Sequence, residues 1–97
     1  MTANIGRIRA DLYFMGVTGI HPEAGLTTGD LEEADIKRAF HQRAAETIVL
    51  ASSEKLGAAS PYLIAPVSEV SGMIVEGSVP AEATAAYERL GVTVTRA

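Results

Sequence analysis

The sequence predicts an α/β fold, a mostly parallel sheet with flanking helices, and a few features lead there. Bulky apolar runs at residues 12–15, 48–50 and 73–75 are too short for helices and give way within a residue or two to glycine or polar residues, as strands buried on both faces do. Between them lie segments that carry helix caps and good helix formers. A strand-helix-strand unit crosses over right-handed, which makes its strands parallel. With 97 residues, 47% of them hydrophobic and 21% charged, the chain has the makings of one folded core.

Residues 1–10 form a lead-in segment or short helix, with Ile5 and Ile8 as its sizeable apolar side chains after Met1. Residues 11–15 then give a central strand that stops at Gly16. A glycine-punctuated loop follows, marked by Gly16, Gly19, Gly25 and Gly29. Asp30, with Glu33 three residues on, is a capping pair, and the acidic first turn suits the helix macrodipole. That helix is predicted to run to about Glu46, with Ile36, Phe40 and Ala44 facing the sheet and Lys37, His41 and Gln42 outward. Residues 47–51 form a second buried strand. Residues 62–65, fenced by Pro61 and Pro66, suit an edge strand, because each proline lacks a ladder donor. A turn or loop over 67–71 leads into a third buried strand at 73–75. Pro80 opens a helix over 81–90 that Gly91 closes, and the alternation of Val92 and Val94 with threonines gives a last strand. The order is β-α-β-β-β-α-β, with about four parallel strands and two long helices. Two helices cannot cover both faces of such a sheet, so an exposed apolar face is expected to drive homo-oligomer formation.

Absence of cysteine excludes a disulfide framework, a thiolate nucleophile and a zinc-thiolate site, and makes the cytoplasm the default compartment. No apolar run approaches the roughly 20 residues of a membrane span. A net charge of −4 repels phosphate backbones, so no direct nucleic-acid contact is expected. Arg7 and Arg9 make the nearest thing to a basic patch. Lys37 and Arg38 are explained by i,i+4 pairing with the acidic residues of their helix. No His, Asp and Glu set has metal-ligand spacing, and no cofactor is called for.

Two strings stand out: Gly16-Val17-Thr18-Gly19-Ile20-His21-Pro22-Glu23-Ala24-Gly25-Leu26-Thr27-Thr28 and, one helix later, Leu50-Ala51-Ser52-Ser53-Glu54-Lys55-Leu56-Gly57. Both follow strands predicted to be parallel, so both loops fall at the sheet edge where open α/β sheets bind ligands. A phosphate ester there needs backbone N–H donors and a cation. Together the strings resemble the sugar-phosphate-sensing domain of DeoR-type bacterial transcription regulators, closely through Gly57 and more loosely to Val94. The resemblance implies that residues 11–97 are the C-terminal half of a larger sensor domain of the isomerase, deaminase and CoA-transferase type. In such regulators a winged helix-turn-helix comes first, so the chain reads as a fragment of a longer protein or a truncated product.

By the same resemblance Lys55 matches the lysine of the family's Asp-x-Ser-Lys segment and would hold the phosphate, beside Ser52 and Ser53; position alone would make it a solvated lysine. The family usually has an acidic residue where Ser52 stands and a small polar one where Glu54 stands. A carboxylate at Glu54 can accept from sugar hydroxyls or orient Lys55. In the first loop Gly16 and Gly19 would offer backbone, and Thr18, His21 and Glu23 hydrogen bonds to the sugar; read alone, these residues are turn chemistry. His41 reads as solvated. The implied function is an effector-binding module, not an enzyme, that senses a phosphorylated sugar or polyol. The alternatives are a sugar-phosphate isomerase or deaminase, for which Glu23 is the lone carboxylate between Gly16 and Gly29, and a remnant that keeps only oligomerisation.

Overall fold

In the computed structural model, which describes residues 10–97, two sheets and two helices share one core. The predicted lead-in, apart from Ala10, and the Arg7 and Arg9 pair lie outside the described residues. In chain order the elements are β1 (Ala10–Gly16), β2 (Gly19–His21), β3 (Gly25–Thr28), α1 (Leu31–Arg43), β4 (Ala44–Ala51), β5 (Tyr62–Ala65), β6 (Gly72–Val75), α2 (Ala81–Arg89) and β7 (Thr93–Arg96). Short 3-10 turns occupy Ser53–Lys55 and Val67–Glu69.

The larger sheet has the order β1-β4-β6-β7 and every pairing in it is parallel, as the apolar runs predict. Register places Phe14 beside Ile48, Ile48 beside Gly72, and Met15 beside Val49 and Met73 in turn. Side chains alternate across a strand. One face therefore carries Met15, Val49 and Met73, all buried, and the other carries Leu12, Phe14, Ile48, Leu50 and Ile74. Phe14 is 54% exposed, Leu12 45% and Leu50 42%, so this second face is an open apolar surface.

The glycine-punctuated loop is more ordered than its composition suggests. Its two halves, β2 and β3, pair antiparallel as a hairpin, and β5 joins β3 antiparallel to make a second sheet of order β2-β3-β5. The segment between the prolines is an edge strand, but of this small sheet instead of the parallel one. Glycine fits the hairpin at two places for different reasons. Gly25 has φ +88°, and a Cβ on Gly19 would stand 2.5 Å from the Ala58 carbonyl oxygen.

Asp30 caps α1 as predicted, its Oδ1 accepting from the N–H groups of Glu32 at 2.9 Å and Glu33 at 3.4 Å. The helix ends at Arg43, three residues before the predicted stop. Ala44 and Glu46 pair with Ala10 and Leu12, and the ladder with β1 overrides the helix propensity of the Ala-Ala-Glu stretch. Ala34 is the buried residue of α1; Ile36 and Phe40 are only partly buried, with the Phe40 ring 5.6 Å from that of Tyr13. Lys37 pairs with Glu33 at 2.7 Å, as the spacing predicts, and its Nζ also donates to the Gly16 carbonyl. Arg38 does not pair along the helix: it donates to the carbonyls of Ile64 at 2.9 Å and Leu63 at 2.7 Å, tying α1 to β5. His41, expected in solvent, is half-buried between Thr47 Oγ1 at 2.7 Å and Glu69 Oε1 at 3.3 Å, where it joins α1, β4 and the 3-10 turn after Pro66. Among the described residues no helix is long and apolar enough to cross a membrane.

Candidate functional site

Parallel strands all finish at the same edge of their sheet, and there the chain leaves β4 and β6 beside each other. A cavity of about 600 Å³ opens at that edge, lined by Leu50, Ser52 and Lys55 from the end of β4 and its turn, and by Ile74 and Glu76 from the end of β6. The turn is tight: the Lys55 N–H donates to the Ser52 carbonyl at 3.0 Å, and Lys55 lines the cavity together with Leu50 and Ser52. Lys55 is partly buried and forms no ion pair among the described residues. Lys55 thus lines the cavity with no counter-charge bonded to its ammonium among the described residues.

The other polar groups of the turn are already engaged. The Ser52 hydroxyl donates to Glu54 Oε1 at 2.8 Å. That bond and Glu54's own N–H hold the Glu54 carboxyl below its ordinary value against a smaller opposing effect of desolvation, and the neighbouring Lys55 ammonium adds least. With its O–H directed at Glu54, Ser52 presents only lone pairs to the cavity. The Ser53 N–H donates to Glu76 Oε1 at 2.7 Å.

The hairpin and the Lys55 turn meet next to this cavity. Ile20 forms a parallel bridge with Leu56, and the Gly57 N–H donates to the Ile20 carbonyl at 2.7 Å. Tyr87, buried in α2, donates its hydroxyl to the same carbonyl at 2.7 Å and accepts from the Gly57 N–H at 3.1 Å. Burial raises its phenol pKa, a shift that the Gly57 hydrogen bond partly opposes. Thr27 adds a second tie, donating to the Gly19 carbonyl and accepting from the Ser60 N–H. Sequence reasoning passed over Tyr87; the one signal for it is a lone aromatic residue in an alanine-rich helix.

Of the predicted site residues, Ser52 and Lys55 line the cavity and Ser53 stands in its turn, bonded to Glu76. Gly16, Thr18, Gly19, His21 and Glu23 do not line it. His21 Nδ1 accepts from the N–H groups of Glu23 at 3.0 Å and Ala24 at 3.2 Å, so its ring closes the hairpin turn. The Thr18 N–H donates to the Thr27 carbonyl, and Gly19 is the close-packing point against Ala58. A separate cavity of about 570 Å³, beside β1 and α1, has Asp30, Glu32 and Glu33 against Lys37 alone among its charged groups. Lys37 is already bonded to Glu33 and the Gly16 carbonyl, so an anion gains no free cation there. Among the described residues no cluster of His, Asp and Glu could hold a metal ion.

An open parallel sheet with a cavity at the carboxyl ends of its strands is the arrangement in which α/β domains place their ligands. Residues 1–77 match the DeoR C-terminal sensor domain, and the chain belongs to that family. It is 34% identical over 88 residues to the HTH-type transcriptional regulator GlpR of Haloferax volcanii, an overlap covering 91% of this chain and 34% of the relative. It is 43% identical over 49 residues to the uncharacterized HTH-type transcriptional regulator FruR of Bacillus subtilis, covering 50% of this chain and 20% of that protein. The chain spans about a third of the length of the first of these relatives, or less. The family is one of sensor domains of transcriptional regulators, not of enzymes.

Proposed function

We propose that this chain is the effector-binding module of a DeoR-type transcriptional regulator, sensing a phosphorylated sugar or polyol in the cytoplasm, with DNA held by a separate domain of the regulator. Residues 11–97 form part of that sensor domain. The observation that carries the reading is the Lys55 ammonium, unpaired in a cavity at the ends of parallel strands. Lys55 neutralises the phosphate, while Ser52 accepts from a ligand hydroxyl. Gly16, Thr18, Gly19, His21 and Glu23 serve through the hairpin against which the Lys55 turn is set. The effector changes DNA affinity only through its differential affinity for two conformations of the sensor.

A panel of sugar and polyol phosphates in a thermal-shift experiment tests this. A true effector at one hundred times its dissociation constant stabilises by about 2.7 kcal/mol. Lys55→Ala should remove the shift and leave the unliganded melting temperature nearly unchanged. If no phosphate shifts the protein, the sensor reading is wrong.

The open sheet face supports self-association through a second copy. Leu12, Phe14, Ile48, Leu50 and Ile74 form one apolar surface, with Glu46 as the charged residue among its neighbours in register.

A further inference from the structure

The Lys55 cavity holds two charges of opposite sign that do not touch. Glu76, the first residue past β6, lines it together with Lys55, yet the two form no ion pair. Glu76 Oε1 is fixed by the Ser53 N–H at 2.7 Å, so the turn that carries the ammonium also anchors the carboxylate. Its other oxygen accepts no hydrogen bond among the described residues. A ligand that fills this space against Lys55 therefore meets a fixed carboxylate as well.

Resting on the reading that Lys55 holds the phosphate, we propose that Glu76 sets the ligand class of the cavity: it admits singly phosphorylated sugars or polyols and excludes those with a second phosphate or a carboxylate. A carboxylate only accepts hydrogen bonds, so a ligand hydroxyl satisfies it and a second anion is repelled without gaining a donor. Ser52 acts in the same direction, because its O–H donates to Glu54 and only its lone pairs remain for the ligand. One cation facing two acceptors matches one anionic group followed by hydroxyls. Specificity here comes from the group that disfavours the competitor.

The test is a calorimetric titration of the full chain with fructose monophosphate and with fructose bisphosphate, on the wild type, Glu76→Gln, Glu76→Asp and Lys55→Ala. Glutamine keeps an oxygen for the Ser53 N–H and removes the charge. The wild type should prefer the monophosphate by roughly tenfold or more, and Glu76→Gln should lose most of that preference by gaining on the bisphosphate. Glu76→Asp, which retains the charge, should keep the preference even if the turn shifts. A monophosphate signal abolished by Lys55→Ala, with a mono-to-bisphosphate ratio unchanged in Glu76→Gln, overturns the role of Glu76 and leaves the phosphate site standing. Loss of the preference in Glu76→Asp as well as Glu76→Gln assigns it to turn geometry and overturns the charge argument. No binding of either sugar by the wild type, together with no shift from any phosphate of the thermal-shift panel, overturns both readings.

Discussion

The Tyr87 hydroxyl sits where hairpin, turn and α2 converge, and its energetic weight can be stated from its partners. Ile20 carbonyl and Gly57 N–H also bond each other, so Tyr87→Phe leaves neither backbone group unsatisfied. The expected loss is about 1 kcal/mol, the net worth of one hydrogen bond, read by chemical denaturation. The same side chain predicts an alkaline response. Its pKa is raised in the fold, so its contribution is intact below pH 10.0 and is lost as pH climbs from there through the raised value. Tyr87→Phe should flatten that part of the pH-stability curve. At this scale the sequence was informative about kinds of residue more than partners. Asp30 was readable as a cap because its partners are two and three residues away. His41 and Arg38 were not, because Glu69 and the Ile64 carbonyl lie 28 and 26 residues along the chain.

Elements were legible wherever one physical signal dominated. Three of the four parallel strands announced themselves through apolar runs and the last through the alternation of valine with threonine, and both helices through caps and composition. The small sheet stayed hidden because β2 and β3 are three and four residues long, rich in glycine and threonine, and owe their form to pairing with each other and with β5. Their burial comes from packing against the rest of the core, a tertiary effect that no local window contains. For α1 the balance is local. Asp30→Ala should cost about 1 kcal/mol in the same denaturation experiment, since it strips the first-turn N–H groups of Glu32 and Glu33 of their acceptor. The break of α1 at Ala44 shows the opposite case, in which strand pairing to β1 outweighs the preference of alanine and glutamate for helix.

For the whole molecule the deciding fact is that both helices and the small sheet lie on one side of the parallel sheet. An apolar surface of this kind drives association when nothing else covers it. Phe14→Lys, at the most exposed large apolar position of that face, should move the protein toward monomer in sedimentation velocity while leaving its helical content unchanged. A wild type that is monomeric at all concentrations would rule out self-association through this face. Sequence reasoning reached the uncovered face by counting helices; the cavity's acidic member, Glu76, lay beyond it, because only the register of β4 with β6 brings Glu76 next to Ser53. Leu50 and Ile74 belong both to the bare face and to the wall of the cavity. Whatever settles on that face thus becomes part of the ligand's surroundings, and the two occupancies are thermodynamically linked: if the ligand loosens or tightens the cover by some factor, the cover alters the ligand's hold by the same factor.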